Sequence, residues 1–405
     1  MVGNSKAKLS KYSLLSYLYF FFNCAGLPGG LLYTNILSPV FYIWIVYQKK
    51  QPVLYQFFLV LIPFNIIHLL LGVQWKSFLV SNLLFLSTYI FVVCFYYFIN
   101  NYSRIGRIYK NILLLNFLFM LLALLLLFTP FRELLWYKNK FTHSVEDFFR
   151  LSLLTFEASY YSLLFAPVSI YFLLKIFFKQ YTGNATPILL MSVLPLILSL
   201  SLGVIGAMLF AFGMMFIVNW EKVFYKRNFL SVLVVSFTAL LVGFLVLYFL
   251  FPNNAVFIRL NNIYYGVDTS TRGRTTESFW LAWKVAEERS IWFGSGLGQI
   301  KELAHAIVKK YFDYWGDLDV VRIPNAVGET LAIFGITGLI FRFGLIFYLF
   351  FKTRVLSNYY RSCIFFFIFI YQFTGSYITN IVEYVLWCIA FSTAFVCFDR
   401  KGALK

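Results

Sequence analysis

Apolar residues fall into a dozen runs along the chain, cut by charges and by Gly or Pro, near 12–27, 30–48, 53–71, 77–99, 111–130 and 151–174, then 187–201, 203–219, 228–252, 326–351, 362–374 and 380–398. Most approach the roughly 20 residues that a helix needs to cross a bilayer core. The stretch 187–219 would make one helix of about 50 Å, so it is divided at Ser201–Gly203, and 362–398 is divided likewise at Gly375–Ser376. The pattern predicts an all-α polytopic membrane protein of about 12 transmembrane helices, with residues 1–405 as a single transmembrane domain. Lys6, Lys8 and Lys11 precede the first run like a signal n-region. No small-residue cleavage site follows, so that run reads as an uncleaved span.

Two segments between the runs read as outer loops: 131–150, a short one, and 252–325, a long (periplasmic) one expected to cap a site. Within the second, Thr275–Arg289 reads as a helix with Phe279, Trp283 and Ala286 on one face. Gln299–Phe312 reads as another, with Ile300, Leu303, Ile307, Val308 and Tyr311 apolar and Lys301, Glu302, Lys309 and Lys310 polar. Amphipathic helices of this kind lie on a membrane face or cap a cavity.

Composition supports the membrane assignment. Only 12% of the 405 residues are charged while 61% are hydrophobic, and mean hydropathy is +0.78. That is about half the charged share of a soluble domain, too little to coat a water-facing surface. The net charge of +18 would suggest nucleic acid in a soluble chain, but its distribution gives another meaning. With an inside N-terminus, the seven segments on that side hold 19 of the 34 basic residues against only Glu221 and Asp399, a net of +17. The outside segments sum to +3. This asymmetry is an orientation signal that places both termini in the cytoplasm, and no nucleic-acid partner is expected. Five cysteines, Cys24, Cys94, Cys363, Cys388 and Cys397, lie in or beside apolar runs without metal-ligand spacing and read as small buried hydrophobes.

Ionisable groups inside a membrane are costly and mark function by default. Glu157, Glu329 and Glu383 each lie one or two turns inside the outer end of a span, with His68 near the outer end of its own. The flanking outside segments supply Arg150, Arg259, Arg272, Arg274 and Arg322. Carboxylates and guanidinium groups at one level suit an anionic substrate handled at the outer face; structural Arg–Glu pairing is the alternative for any one residue. Arg150 precedes Glu157 by seven residues, as Arg322 precedes Glu329. That interval puts each pair on one helix face wherever the helix extends so far. Phe293-Gly-Ser-Gly-Leu-Gly298 looks like a phosphate-cradling loop, but no strand precedes it and no Lys-Ser/Thr follows, so it reads as a turn between amphipathic helices. No metal or other cofactor is called for.

Several segments carry a resemblance. Arg150-Leu-Ser-Leu-Leu-Thr-Phe-Glu157-Ala-Ser159-Tyr160-Tyr161 resembles the Arg…Glu-Pro-Ser-Tyr segment of O-antigen polymerases. Leu198–Gly206 resembles their Ser/Thr-rich span, and Arg274, Trp280 or Trp283, and Gly294–Gly298 resemble a stretch of their long periplasmic loop. Pro324-Asn325…Glu329…Gly338 resembles the motif closing that loop. Together, over about 145–345, they resemble the O-antigen polymerase and ligase superfamily. The ligases carry a catalytic His where this chain has Pro324, which favours the polymerase, and Ala158 stands in place of the polymerases' usual Pro.

The resemblance implies glycosyl transfer at the outer face of a bacterial inner membrane, lengthening undecaprenyl-diphosphate-linked glycans and releasing undecaprenyl diphosphate. It implies Glu157 and Glu329 as candidate bases, with Arg150 and Arg274 at the leaving group. Arg272, Arg322, Asn325, Arg259, Tyr160 and His68 are the candidate substrate contacts. Membrane lipid and a chain-length regulator protein are the implied partners. An O-antigen ligase and a lipid-linked oligosaccharide flippase are the competing readings; a flippase more often shows an internal repeat and a midplane site.

Overall fold

A computed structural model describes residues 9–23, 33–49, 54–101, 104–138, 149–181, 183–218, 261, 264–266, 273–312 and 321–400. The expected span 228–252 and the candidate residues Arg259 and Arg272 lie outside the described residues. The helices are α1 (Leu9–Phe22), α2 (Tyr33–Lys49), α3 (Tyr55–Leu70), α4 (Trp75–Asn101), α5 (Ile105–Leu126), α6 (Ala158–Phe177), α7 (Ala185–Ser199) and α8 (Leu202–Val218). They continue as α9 (Thr276–Glu287), α10 (Ile300–Phe312), α11 (Ala326–Lys352), α12 (Tyr359–Tyr371) and α13 (Ile381–Phe391). Among the described residues, Trp75–Asn101, Ile105–Leu126, Ala158–Phe177 and the helix starting at Ala326 are long and apolar enough to cross a membrane, beside six shorter apolar helices. The protein is mostly helical and consistent with an all-α membrane protein.

Local chemistry explains the helix boundaries. Asn184, Asn325, Asn358 and Asn380 cap α7, α11, α12 and α13, each side-chain oxygen accepting a backbone N–H of the first turn. Leu200, at φ 47°, ends α7 in a left-handed residue, so the expected break near Ser201 is a real turn. One expected boundary fails. The run starting at 151 becomes helical only at Ala158, because Phe149–Leu151 (β2) pairs antiparallel with Trp136–Lys138 (β1), Tyr137 facing Arg150. Arg150 and Glu157 therefore do not share a helix face.

The helices enclose two apolar cores. The larger joins α1, α4–α8, α12 and α13. Its centre is α6, in whose apolar window 72% of the residues are buried against 28% for α4, so α6 is wrapped by protein while most α4 positions are half-buried or exposed. The smaller core packs the α9–α10 pair onto α3, the start of α4 and the first half of α11. On α10, Ile300, Ala304 and Ile307 are buried, as its amphipathic pattern predicts. On α9 the buried face holds the expected Ala286 but is otherwise Ser278, Leu281, Ala282 and Val285, with Phe279 half-buried and Trp283 outward. These smaller side chains let α9 approach α11 closely, and the bulky aromatic is displaced to the rim. Cys94, Cys363 and Cys388 are buried, whereas Cys397 is exposed.

Near its middle α11 is broken at Gly335, whose φ of 66° is open to glycine. The break would orphan two carbonyls and two N–H groups, and the glycine turn satisfies all of them. Ser295 and Gly296 N–H donate to the Ala332 and Ile333 carbonyls at 2.8 and 3.0 Å. Ile336 and Thr337 N–H donate to the Ile291 and Trp292 carbonyls, each at 3.0 Å. Unpaired backbone groups are costly in an apolar setting, so this exchange lets a broken helix persist there. A Cβ on Gly294 would meet the Ile333 backbone at 2.3 Å. The Gly-rich segment is thus spent on α11 and forms no phosphate cradle.

Candidate functional site

At one end of the bundle five segments converge: the start of α6, the end of α7, the residues before α9, the start of α11 and the α12–α13 connection. Glu157 is the N-cap residue of α6, but its carboxylate does not cap the helix. It turns outward, accepting from Ser159 Oγ and from Arg274 Nη2, the latter at 3.2 Å. Both members of this ion pair keep about a third of their side-chain surface exposed, at 30% and 32%. A carboxylate and a guanidinium held side by side at a half-open surface can bind both an acidic and a hydroxylic part of one ligand.

Asn325 sets this pair in place. Its Oδ1 accepts from Gly328 N–H at 2.9 Å, while Nδ2 donates to the Arg274 carbonyl at 3.0 Å and to the Phe373 carbonyl. Fully buried, it ties α11 to the segment carrying Arg274 and to the α12–α13 connection. The expectation of direct substrate contact by Asn325 gives way to a positioning role, because each of its amide atoms is already engaged by protein. The first N–H groups of α11 are engaged too, Ala326 donating to the Gly375 carbonyl and Val327 to the Gln372 carbonyl.

The other expected residues separate into near and far. Arg150 is buried, its Nε donating to the Ser199 carbonyl at 3.0 Å. It remains within electrostatic reach of Tyr137, as are Glu157 and Arg274, and burial followed by the Glu157 charge pushes the Tyr137 phenol up. The anticipated Arg150–Glu157 pair is not formed; Arg274, 117 residues later, takes that place. Glu329 accepts from Ile378 N–H at 2.5 Å, and Arg322 lies over the Tyr377 ring, 5.9 Å from its centre, so these two also do not pair directly. The hydroxyl of Tyr160 accepts from Asn23 Nδ2 at 2.7 Å. His68 sits elsewhere, fully buried in the smaller core, where Nε2 donates to the Phe293 carbonyl at 2.8 Å and anchors the glycine turn. Its burial removes it from any surface shared with Glu157.

Glu383, the third carboxylate expected at this level, is fully buried and paired with Arg342 Nη2. Arg342 also donates to Gln372 Oε1 at 2.9 and 3.1 Å and to Thr330 Oγ1 at 3.2 Å. This cluster clamps α11, α12 and α13 together below the Glu157 site. Arg342 lies within an apolar run and has no visible partner in the sequence, since a contact 41 residues away leaves no local trace. Tyr377 and Ser159 were also missed as members of the site. Tyr377 is one of 29 tyrosines and carries no distinguishing spacing. Among the described residues no three His, Cys, Asp or Glu side chains are grouped to hold a metal.

The fold and this ionic site define an all-α membrane protein with a charged surface at one end of its bundle. No protein-family model matches the chain, and no characterised protein matches it in sequence.

Proposed function

We propose that this protein polymerises lipid-linked oligosaccharide repeat units by glycosyl transfer at the outer face of a bacterial inner membrane. The observation that carries the reading is the half-exposed Glu157–Arg274 pair at the start of a protein-wrapped helix. In the proposed reaction an acceptor sugar hydroxyl attacks the anomeric carbon of an undecaprenyl-diphosphate-linked glycan. The new glycosidic C–O bond forms as the bond to the diphosphate oxygen breaks. The hydroxyl proton passes to the Glu157 carboxylate, which lies within reach of a bound ligand. The leaving diphosphate takes the electron pair and faces Arg274, with Arg322 and Arg150 nearby. Fixed guanidinium groups there stabilise charge that grows in the transition state. Glu329, bonded to a backbone N–H, serves the acceptor side. No cofactor enters this scheme.

The lipopolysaccharide banding pattern of a deletion strain tests the proposal. A single-repeat core band is the expected result. Complete loss of attached antigen with polymer remaining on lipid would instead establish a ligase, and absence of repeat units outside the membrane a flippase. The proposed orientation, twelve spans with both termini cytoplasmic, rests on the charge asymmetry of +17 against +3. Reporter fusions should read inside at Gly183 and outside at Asp268, and the opposite result at either position overturns it.

A further inference from the structure

The connection between α12 and α13 presents one side chain that the proposed scheme does not use. Residues 376–380 are pinned from several sides. Ile378 N–H donates to Glu329, and the Ile378 carbonyl accepts from Tyr384 Oη at 2.7 Å. Asn380 donates through its backbone to the Tyr377 carbonyl at 2.9 Å and through Nδ2 to Ser376 Oγ at 3.0 Å. Ser376 itself holds φ at 73°, the left-handed region that a residue with a Cβ occupies only when its surroundings impose it. All this fixed geometry displays Tyr377. Its ring is half-buried under Arg322, and Glu157, Arg274, Arg322 and Glu329 all lie within its electrostatic reach.

Buried phenols normally find a hydrogen-bond partner. Tyr161 bonds Asn116, Tyr360 bonds the Pro167 carbonyl and Tyr384 bonds the Ile378 carbonyl, whereas the enclosed Tyr42 hydroxyl has no partner among the described residues. The Tyr377 hydroxyl, at the charged end of the bundle, has no hydrogen-bond partner among the described residues. We infer that Tyr377 is a ligand-binding residue of this site, its hydroxyl donating a hydrogen bond to an anionic oxygen of a phosphate-linked saccharide held between Arg274 and Arg322. Burial, and next the Glu157 charge, push the Tyr377 phenol up, so it keeps its proton and remains a donor at neutral pH. The inference rests on the proposed polymerase reading for its saccharide but not for its anion.

Two measurements on the full-length protein separate those dependences. The first is the thermal shift that inorganic diphosphate gives purified wild type and Tyr377→Phe. A hydrogen bond to a charged group contributes roughly 1.5–3 kcal/mol, so the variant should need about 10–150-fold more diphosphate for the same shift. The second is polymerisation of undecaprenyl-diphosphate-linked repeat units, where Tyr377→Phe should raise KM by a similar factor and leave kcat within about twofold. Tyr348→Phe, beside Lys352 and away from the site, is the control and should match wild type in both. Equal diphosphate dependence in wild type and Tyr377→Phe overturns the inference. So does failure of Tyr377→Phe to accumulate in the membrane, since that would make the hydroxyl a structural group. If wild type polymerises nothing while the diphosphate difference persists, the polymerase reading fails and the anion site stands.

Discussion

Two arginine–glutamate pairs stand among the described residues, and they differ in almost everything except their chemistry. Arg274–Glu157 joins the segment just before α9 to the start of α6, at 3.2 Å, with about a third of each side chain exposed. Arg342–Glu383 lies inside the helical packing, with side-chain exposures of 12% and 0%, and Gln372 and Thr330 occupy further donors of the guanidinium. Exposed pairs contribute little to stability, about 0–1 kcal/mol, because water competes for both charges. Breaking a buried pair costs about 3–5 kcal/mol, because the remaining charge is stranded. The comparison teaches that a carboxylate at a helix start of this bundle is a structural group when its arginine is enclosed with it and a site candidate when both remain half-open.

Variants can break or sharpen this contrast. The largest effect is expected for Arg342→Ala, which strands Glu383. It should cost about 3–5 kcal/mol of stability, seen as a large fall in thermal stability and in membrane accumulation. A normal Tm would show that the pair is not a structural clamp. Next, Glu157→Gln should leave accumulation intact and lower polymerisation by about 10²–10⁴, the usual contribution of a general base. Glu329→Gln retains an oxygen for Ile378 N–H and should be much milder. The reverse ranking would move the base to Glu329, and normal polymer from both would remove each carboxylate from that role.

Arg274→Ala should lower the rate by about 10²–10³ without loss of protein. Arg274→Lys should recover only part of it, because a lysine lacks the planar fork that matches diphosphate oxygens. Swapping the pair, as Glu157→Arg with Arg274→Glu, should keep the ion pair and remain inactive, whereas recovered polymer would make the pair structural. Smallest of all, Ser159→Ala removes one donor to Glu157. Discounted for the exposure of that carboxylate, about 1 kcal/mol is expected, or roughly fivefold in rate.

The difference between the two pairs was invisible in the sequence. Glu157, Glu329 and Glu383 looked alike there, each one or two turns inside the end of an apolar run. Arg150 and Arg322 looked like their partners, because an interval of seven residues suits a helix. The structure places Arg150 in a strand and gives Glu157 an arginine from another segment. His68 shared the same apparent level but is buried against the glycine turn. A depth along a helix can be estimated from sequence; the direction in which a side chain points into its neighbours cannot.

What the sequence alone determined is the material that depends on local pattern. The helices α7, α8 and α11, the separation of α7 from α8 near Ser201 and of α12 from α13 around Gly375, and the two amphipathic helices α9 and α10 all fall close to where hydrophobic periodicity puts them. Backbone hydrogen bonding in an apolar run is satisfied within the run itself, so helix position is written locally. Tertiary structure alone decided the late start of α6, the exchange of hydrogen bonds between the glycine turn and the break at Gly335, the Asn325 clamp on Arg274, and the Arg342–Glu383 cluster. Each of these joins segments far apart in the chain. Their energies depend on which surfaces happen to meet, and no periodicity within a single segment encodes that.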